Sequence, residues 1–397
     1  MQMNRIVHVM IACFYKNGFG YQENILPEKH KELGFDVNIV TYNKGGDASY
    51  KGGTPPITYL NPDGIPVHVL KDNTSVFKRV PFVNMFVSAT SGLYKKLEEL
   101  QPDIIFVHGI CTPDNFEIVR YIENHRNVKL YADNHSDYYN APVKSIKQKF
   151  YRCFCGKRVG KKIGKFAEKV WGVTPWRVIY QENIYGIPKE KSALLVMGGD
   201  EKKIHWEDRQ NVRKHIRNKL QIPENSFVFI TGGKIDKAKN IHLLVEAFEE
   251  IDDPTIFLII FGRYEEDMKA FSSSIKNRNI RNLGWISADD AYDYYLASDF
   301  AVFPGTHSVL WEQACASGTP ALFKDWDGGF NHVDVGGNCI LLKNVSKDSL
   351  KKEMLKVVGK SDVYSSLKEN AISKARKEFS YIEIAKRSID YDNNKSV

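Results

Sequence analysis

Phe227-Val228-Phe229-Ile230-Thr231-Gly232-Gly233-Lys234-Ile235-Asp236-Lys237-Ala238-Lys239-Asn240 is the stretch on which the reading of the fold turns. Its first five residues are β-branched or aromatic and predict a buried strand; the two glycines predict a turn. Apolar spacing from Ile241 to Ile251 then predicts a helix, and Ile256 to Phe261 a second strand. Strand, helix and strand in close succession make a parallel βαβ unit. Glycines at a strand end let the backbone approach a phosphate, the helix start favours an anion, and Lys234 and Lys239 add point charges. A diphosphate suits such a loop, although a solvated basic loop without a ligand has the same composition.

Working outward, the alternation persists on both sides. Strand-like runs lie at Ile6 to Phe14, Asp36 to Thr41, Ile104 to His108, Lys129 to Ala132, Val170 to Val173 and Ala193 to Met197. After Gly198-Gly199-Asp200 and a polar connector reaching Pro223, further strands follow at Phe300 to Phe303 and Thr319 to Phe323. The chain ends in helical patterns at Ser349 to Val358, Val363 to Phe379 and Ile382 to Asp390. The class is α/β, with two consecutive doubly wound domains. We place them at residues 1–197 and 198–378, with a terminal helix, 379–397, returning to the first. Ligands in such sheets are expected at the carboxyl ends of the strands.

Composition agrees. At 397 residues, 43% apolar and 26% charged, the chain exceeds what one core usually supports and is neither disordered nor coiled coil. The net charge is +8, yet Lys144 to Lys169 holds ten Lys and Arg against Glu168 alone, so the remainder is almost neutral. That pattern excludes a diffusely cationic nucleic-acid binder. Ile6 to Phe14 is too short to span a bilayer and lacks a cleavage pattern, so the expected location is cytoplasmic. The six cysteines are scattered and read as reduced. Cys153 and Cys155 lack the second pair of a zinc site, and Asp325-Trp326-Asp327 reads as a turn, so no metal is expected.

A second informative segment is Pro304-Gly305-Thr306-His307-Ser308, followed by Trp311-Glu312 and a small-residue helix ending at Gly318. An acid near a helix start can accept hydrogen bonds from ribose hydroxyls, or simply cap the helix. In the first half, Gly18 and Gly20 mark the first βα turn, which is either a ligand loop or a tight turn. His108 ends one strand; His135, in Asp133-Asn134-His135-Ser136-Asp137, follows the next, and its polar neighbours suit a site better than a core.

From Trp171 to Asp348 the chain resembles the retaining GT-B glycosyltransferases of family 4, two Rossmann-like domains facing each other across a cleft. The resemblance lies in Gly233-Lys234-Ile235 with Lys239 (where the family has Arg and Lys on the donor diphosphate), Gly262, Gly284-Trp285, Gly318-Thr319-Pro320, and Asp327 with Gly328 and Gly329 in the donor loop. Glu312 matches the second glutamate of the family's E-x7-E pair. No acid occupies the first position, which leaves His307 and Ser308 for the sugar. The resemblance implies donor contacts from Gly18, Gly20, Gly233, Lys234, Lys239, Gly284, Trp285, His307, Ser308, Glu312, Gly328 and Gly329. It implies transfer with retention, Lys234 and Lys239 stabilising the leaving diphosphate and His135 and Asp137 orienting sugar and acceptor. No cofactor is implied beyond the nucleotide-sugar donor, expected to be UDP-linked, and the acceptor is a glycan or lipid-linked molecule of the bacterial surface. A non-catalytic nucleotide- or glycan-binding scaffold and a sugar-nucleotide epimerase are the alternatives.

Residues 144–169 return to the charge. Ile146, Phe150, Phe154, Val159, Ile163, Phe166 and Val170 recur every three to five residues among the lysines, a pattern that fits an anionic membrane surface. Gly156, Gly160 and Gly164 argue against one unbroken helix there.

Overall fold

The apolar runs become the inner strands of two parallel sheets in a computed structural model that describes residues 4–13, 15–18, 20–42, 56–73, 88–326, 328–359 and 361–394. The chain divides into two compact units: Met1–Val196 with Ala385–Val397, and Met197–Ile384.

The first unit contains β1 (Arg5–Met10), β2 (Asp36–Tyr42), β3 (Ile57–Leu60), β4 (Pro66–Asp72), β5 (Thr90–Ser91), β6 (Ile104–His108), β7 (Lys129–Asn134), β8 (Lys169–Gly172) and β9 (Ser192–Leu194). Their order is β3-β4-β2-β1-β6-β7-β8-β9, with β5 on β4. β3 and β5 run antiparallel to β4, and the other pairs are parallel. β1 is buried along almost its whole length, as a central parallel strand is when both faces are covered. It is shorter than its apolar run suggests, ending at Met10, while Phe14 falls outside the described residues.

The second unit contains β10 (Phe227–Ile235), β11 (Ile256–Tyr264), β12 (Ile280–Asn282), β13 (Phe300–Phe303), β14 (Ala321–Lys324) and β15 (Cys339–Leu342). They are parallel throughout, ordered β12-β11-β10-β13-β14-β15. The order reverses between β10 and β13, and in the first unit between β1 and β6. Such switch points open a crevice at the carboxyl ends of the strands.

The basic segment departs from expectation. It is helical from Ile146 to Phe166, with wide turns at Phe150–Gly156. Its glycines do not break the helix because they form its packing face. A Cβ on Gly160 would lie 2.4 Å from the Tyr185 carbonyl, and one on Gly164 2.7 Å from Pro188 Cδ. Val159 and Ile163 enter the core, whereas Ile146, Phe150 and Phe154 remain exposed beside Lys147, Lys149 and Arg158. Among the described residues no helix is long and apolar enough to cross a membrane.

Candidate functional site

At the β10 switch point the glycines are not a turn, as the sequence predicts; they belong to the strand, which continues to Ile235 with Gly233 paired to Gly262. The reason is crowding. Gly262 has φ +127°, and a Cβ there would lie 1.8 Å from the Gly233 carbonyl oxygen, so only glycine allows the two strands to approach. Gly262 N donates to Gly284 O (2.6 Å), which brings the β12 end alongside. Trp285, next in the chain, is largely exposed.

The turn comes four residues later than Gly233, at Lys237–Lys239. Asp236 Oδ1 accepts from the Lys239 backbone N–H (3.2 Å), and Asn240, at φ +54°, donates from Nδ2 to Pro304 O (3.0 Å). Thr306 N donates to Ala238 O (3.0 Å), and Gly305 packs so closely that a Cβ would stand 2.3 Å from this turn. The two loops singled out in the sequence are therefore one structure. Lys239 Nζ donates to Thr306 O (2.6 Å) and His307 O (3.3 Å), and burial lowers its ammonium to about 8. Lys234 differs: it is mostly exposed, its Nζ 3.8 Å from Glu265 Oε2.

Behind this loop lies Glu312, fully buried in the helix Leu310–Ala316. Its Oε1 accepts from His307 Nε2 (2.7 Å) and His332 Nε2 (2.9 Å). Burial alone would raise this carboxyl, but the imidazoles reverse the effect and hold it well below the usual range. Its Oε2 and the Ser308 Oγ are buried without a hydrogen-bond partner, two polar atoms available to a ligand hydroxyl. Phe330 stacks on His307 (4.4 Å between ring centres), tying in the segment after Gly328 and Gly329; Asp327 lies outside the described residues. The His307, Glu312 and His332 donor atoms lie within 4.8 Å of one another. Hydrogen bonds account for the 2.7 and 2.9 Å spacings; ligands on a tetrahedral ion with bonds of about 2.0 Å would stand roughly 3.3 Å apart. A cavity of about 960 Å³ lies elsewhere in this unit, at the amino ends of the strands beside Ser226, Thr255 and Asp299.

In the first unit His135 lies just beyond β7, its Nε2 3.5 Å from Asp133 Oδ1. Asp133 Oδ2 accepts from His108 Nδ1 (2.7 Å). Asp137 is engaged internally: Oδ1 accepts from Tyr139 N and Asn140 N (2.9 and 2.8 Å), and Oδ2 faces Arg177 Nε (3.1 Å). That geometry makes it a loop-ordering residue rather than a group presented to substrate. Gly18 and Gly20 are exposed, and a Cβ on either meets nothing within 4 Å. Gly18 answers to its φ of +74°, not to close packing. Sequence reasoning missed His332 and Asp133. The first carries no pattern; the second ends a strand between two histidines, a usable signal.

Residues 212–376 match the family described as glycosyl transferases group 1. A curated relative, an uncharacterized glycosyltransferase of Methanocaldococcus jannaschii, is 22% identical over 57% of this chain and 59% of its own length. A glycosyltransferase structure from Rickettsia africae covers 99% of both chains at 15% identity, with a TM-score of 0.69. Anabaena HepE, solved in complex with UDP, covers 100% of both at 16% identity and a TM-score of 0.66. The fold is GT-B, and within its second unit residues 212–376 are similar to the group 1 glycosyl transferases.

Proposed function

We propose that the protein is a retaining hexosyltransferase that takes a UDP-linked sugar and transfers the sugar to a glycan or lipid-linked acceptor in bacterial surface-polysaccharide synthesis. The observation that carries this reading is the joined loop at the β10 switch point. It fixes the Lys239 ammonium on the carbonyls of Thr306 and His307, while the His307 ring holds a buried carboxylate, Glu312, with one oxygen unpartnered. A nucleoside diphosphate offers what both lack: phosphate oxygens for the cation and ribose hydroxyls for the carboxylate. Gly233 and Gly262 allow the ends of β10 and β11 to approach closely, and Gly284 has open space around it, which leaves room for backbone to meet the phosphates. HepE, of the same fold, is solved with UDP, which supports that nucleotide.

In the reaction the anomeric C–O bond to the diphosphate breaks as the acceptor oxygen bonds to the same face. The acceptor's proton passes to the departing phosphate. Lys239 lowers the barrier by opposing charge that grows on the diphosphate. The exposed apolar row Ile146, Phe150 and Phe154, among lysines, supports peripheral attachment to an anionic cytoplasmic membrane face.

Incubation of UDP-sugars with and without acceptor glycans tests the reading, with the product's anomeric configuration read by NMR. Acceptor-dependent UDP release with retention is expected. Interconversion of the UDP-sugar without acceptor would identify an epimerase instead, and UDP binding without turnover a scaffold.

A further inference from the structure

His8 interrupts the apolar centre of β1, and its surroundings explain why a polar ring is tolerated there. His108 Nε2 lies 2.9 Å from His8 Nδ1, and His8 Nε2 lies 3.0 Å from His30 Nδ1. His30 Nε2 in turn lies 3.1 Å from the Ala385 carbonyl and 3.0 Å from Ser388 Oγ. All three rings and Asp133 are fully buried. A continuous line of hydrogen bonds thus runs from Ala385 to Asp133, beside His135.

The direction of each bond can be deduced. The Ala385 carbonyl only accepts, and the Ser388 hydroxyl already donates to it (2.8 Å), so His30 Nε2 carries a proton. If His30 is neutral its Nδ1 is bare, and His8 must donate to it from Nε2. His8 Nδ1 is then bare and accepts from His108 Nε2. The last contact, His108 Nδ1 to Asp133 Oδ2, needs a proton as well. Four contacts need four protons, and three neutral imidazoles supply three.

We propose that this buried chain holds one additional proton, carried by His108 as an imidazolium against an ionised Asp133, and that His108 and Asp133 are positioning residues that keep His135 Nε2 turned inward and its Nδ1 available to a substrate hydroxyl. Three observations place the charge on His108. Asp133 Oδ1 also accepts from Gly109 N (3.1 Å), which favours its ionised form. Burial drives the His8 imidazole far down and the His30 imidazole to about 4, so both are neutral. Burial would raise the Asp133 carboxyl, but His108 and His135 hold it below the usual range. The other titratable groups around the chain are Cys13, whose thiol donates to His108 O (3.8 Å), and Glu23 and Arg177, whose charges act on His135.

The first part of the proposal does not depend on the reaction; the role of His135 rests on the glycosyltransferase reading. The test is nitrogen NMR of the full-length protein with labelled histidines. At pH 8, His108 should show both ring nitrogens protonated, and His8 and His30 only Nε2. A singly protonated His108 would overturn the proposal. In His30→Phe two rings remain for two contacts, so His108 should release its second proton at lower pH than in the wild type; an unchanged titration would overturn the count. Should that variant not fold, Asp133→Asn is nearly isosteric. Its amide can donate to His108 Nδ1, and persistence of a doubly protonated His108 would refute the argument. For the substrate-facing part, His30→Phe should shift the pH profile of kcat/KM while UDP affinity stays at the wild-type value. An unshifted profile beside the expected spectra would overturn the role of His135 and leave the proton count standing. Absence of transfer in the wild type would instead refute the glycosyltransferase reading.

Discussion

Replacing Lys239 by Met keeps most of the aliphatic stem and removes the ammonium. That ammonium donates to Thr306 O and His307 O and lies mostly within the protein, so it is held in place before any ligand arrives. A hydrogen bond to a charged partner contributes about 1.5 to 3 kcal/mol. Loss of a single Lys239-phosphate contact should therefore weaken UDP binding by about 10- to 150-fold. Burial lowers this lysine to about 8, so its charge is present below that pH and is lost as pH rises through it. Wild-type affinity should accordingly fall between pH 7 and pH 9, and the Met variant should lack that fall. Calorimetric titration of UDP at the two pH values reads both effects, with Lys237→Ala as a control, since no side-chain contact ties Lys237 Nζ to the 304–308 loop among those described. Binding by Lys239→Met within about threefold of the wild type at pH 7 would refute the assignment. So would an unaltered pH dependence in that variant.

Other outcomes follow from the same geometry. If Glu312 Oε2 receives ribose hydroxyls, 2′,3′-dideoxy-UDP should bind the wild type about 10-fold or more weaker than UDP, and Glu312→Gln should narrow that gap; equal gaps would remove the ribose contact. Ile146, Phe150 and Phe154 changed together to Ser should abolish co-sedimentation with anionic vesicles at low salt while leaving UDP affinity intact; sedimentation equal to wild type would dissociate this row from any membrane. Gly160→Ala places a methyl 2.4 Å from the Tyr185 carbonyl and should destabilise the first unit by about 1 to 3 kcal/mol, read as a lower chemical-denaturation midpoint, whereas Gly20→Ala, with nothing near, should not.

The parallel sheets were legible because their strands are continuous apolar runs, and burial on both faces leaves periodicity little to hide. Boundaries at Gly232-Gly233 were not, because a glycine pair signals either a turn or a close backbone approach. Only Gly262, about thirty residues away in sequence, decides between them. The basic helix posed the same problem in reverse. Gly156, Gly160 and Gly164 carry a helix-breaking propensity that an isolated segment would express. Tertiary packing against Tyr185 and Pro188 overrides it.

The candidate site divides along a similar line. Lys239 and Glu312 could be picked from sequence because each sits at a fixed offset from a strand or helix terminus. His332 could not, since it reaches Glu312 from twenty residues further along the chain, beyond β14. Asp137 and Asp133 make the sharpest contrast. They are the same residue type four positions apart, and sequence reasoning chose Asp137, the more loop-like of the two. Yet loop acids of this kind readily turn their oxygens onto nearby backbone N–H groups, as Asp137 does with Tyr139 and Asn140. An acid at the end of a buried strand has no such local outlet, and it must be matched by distant groups or be neutralised. Asp133 is matched by His108 and Gly109. A strand-terminal carboxylate flanked in neighbouring strands by histidines is therefore the better place to look for chemistry, and β1, β6 and β7, ending near the first unit's switch point, supply that arrangement.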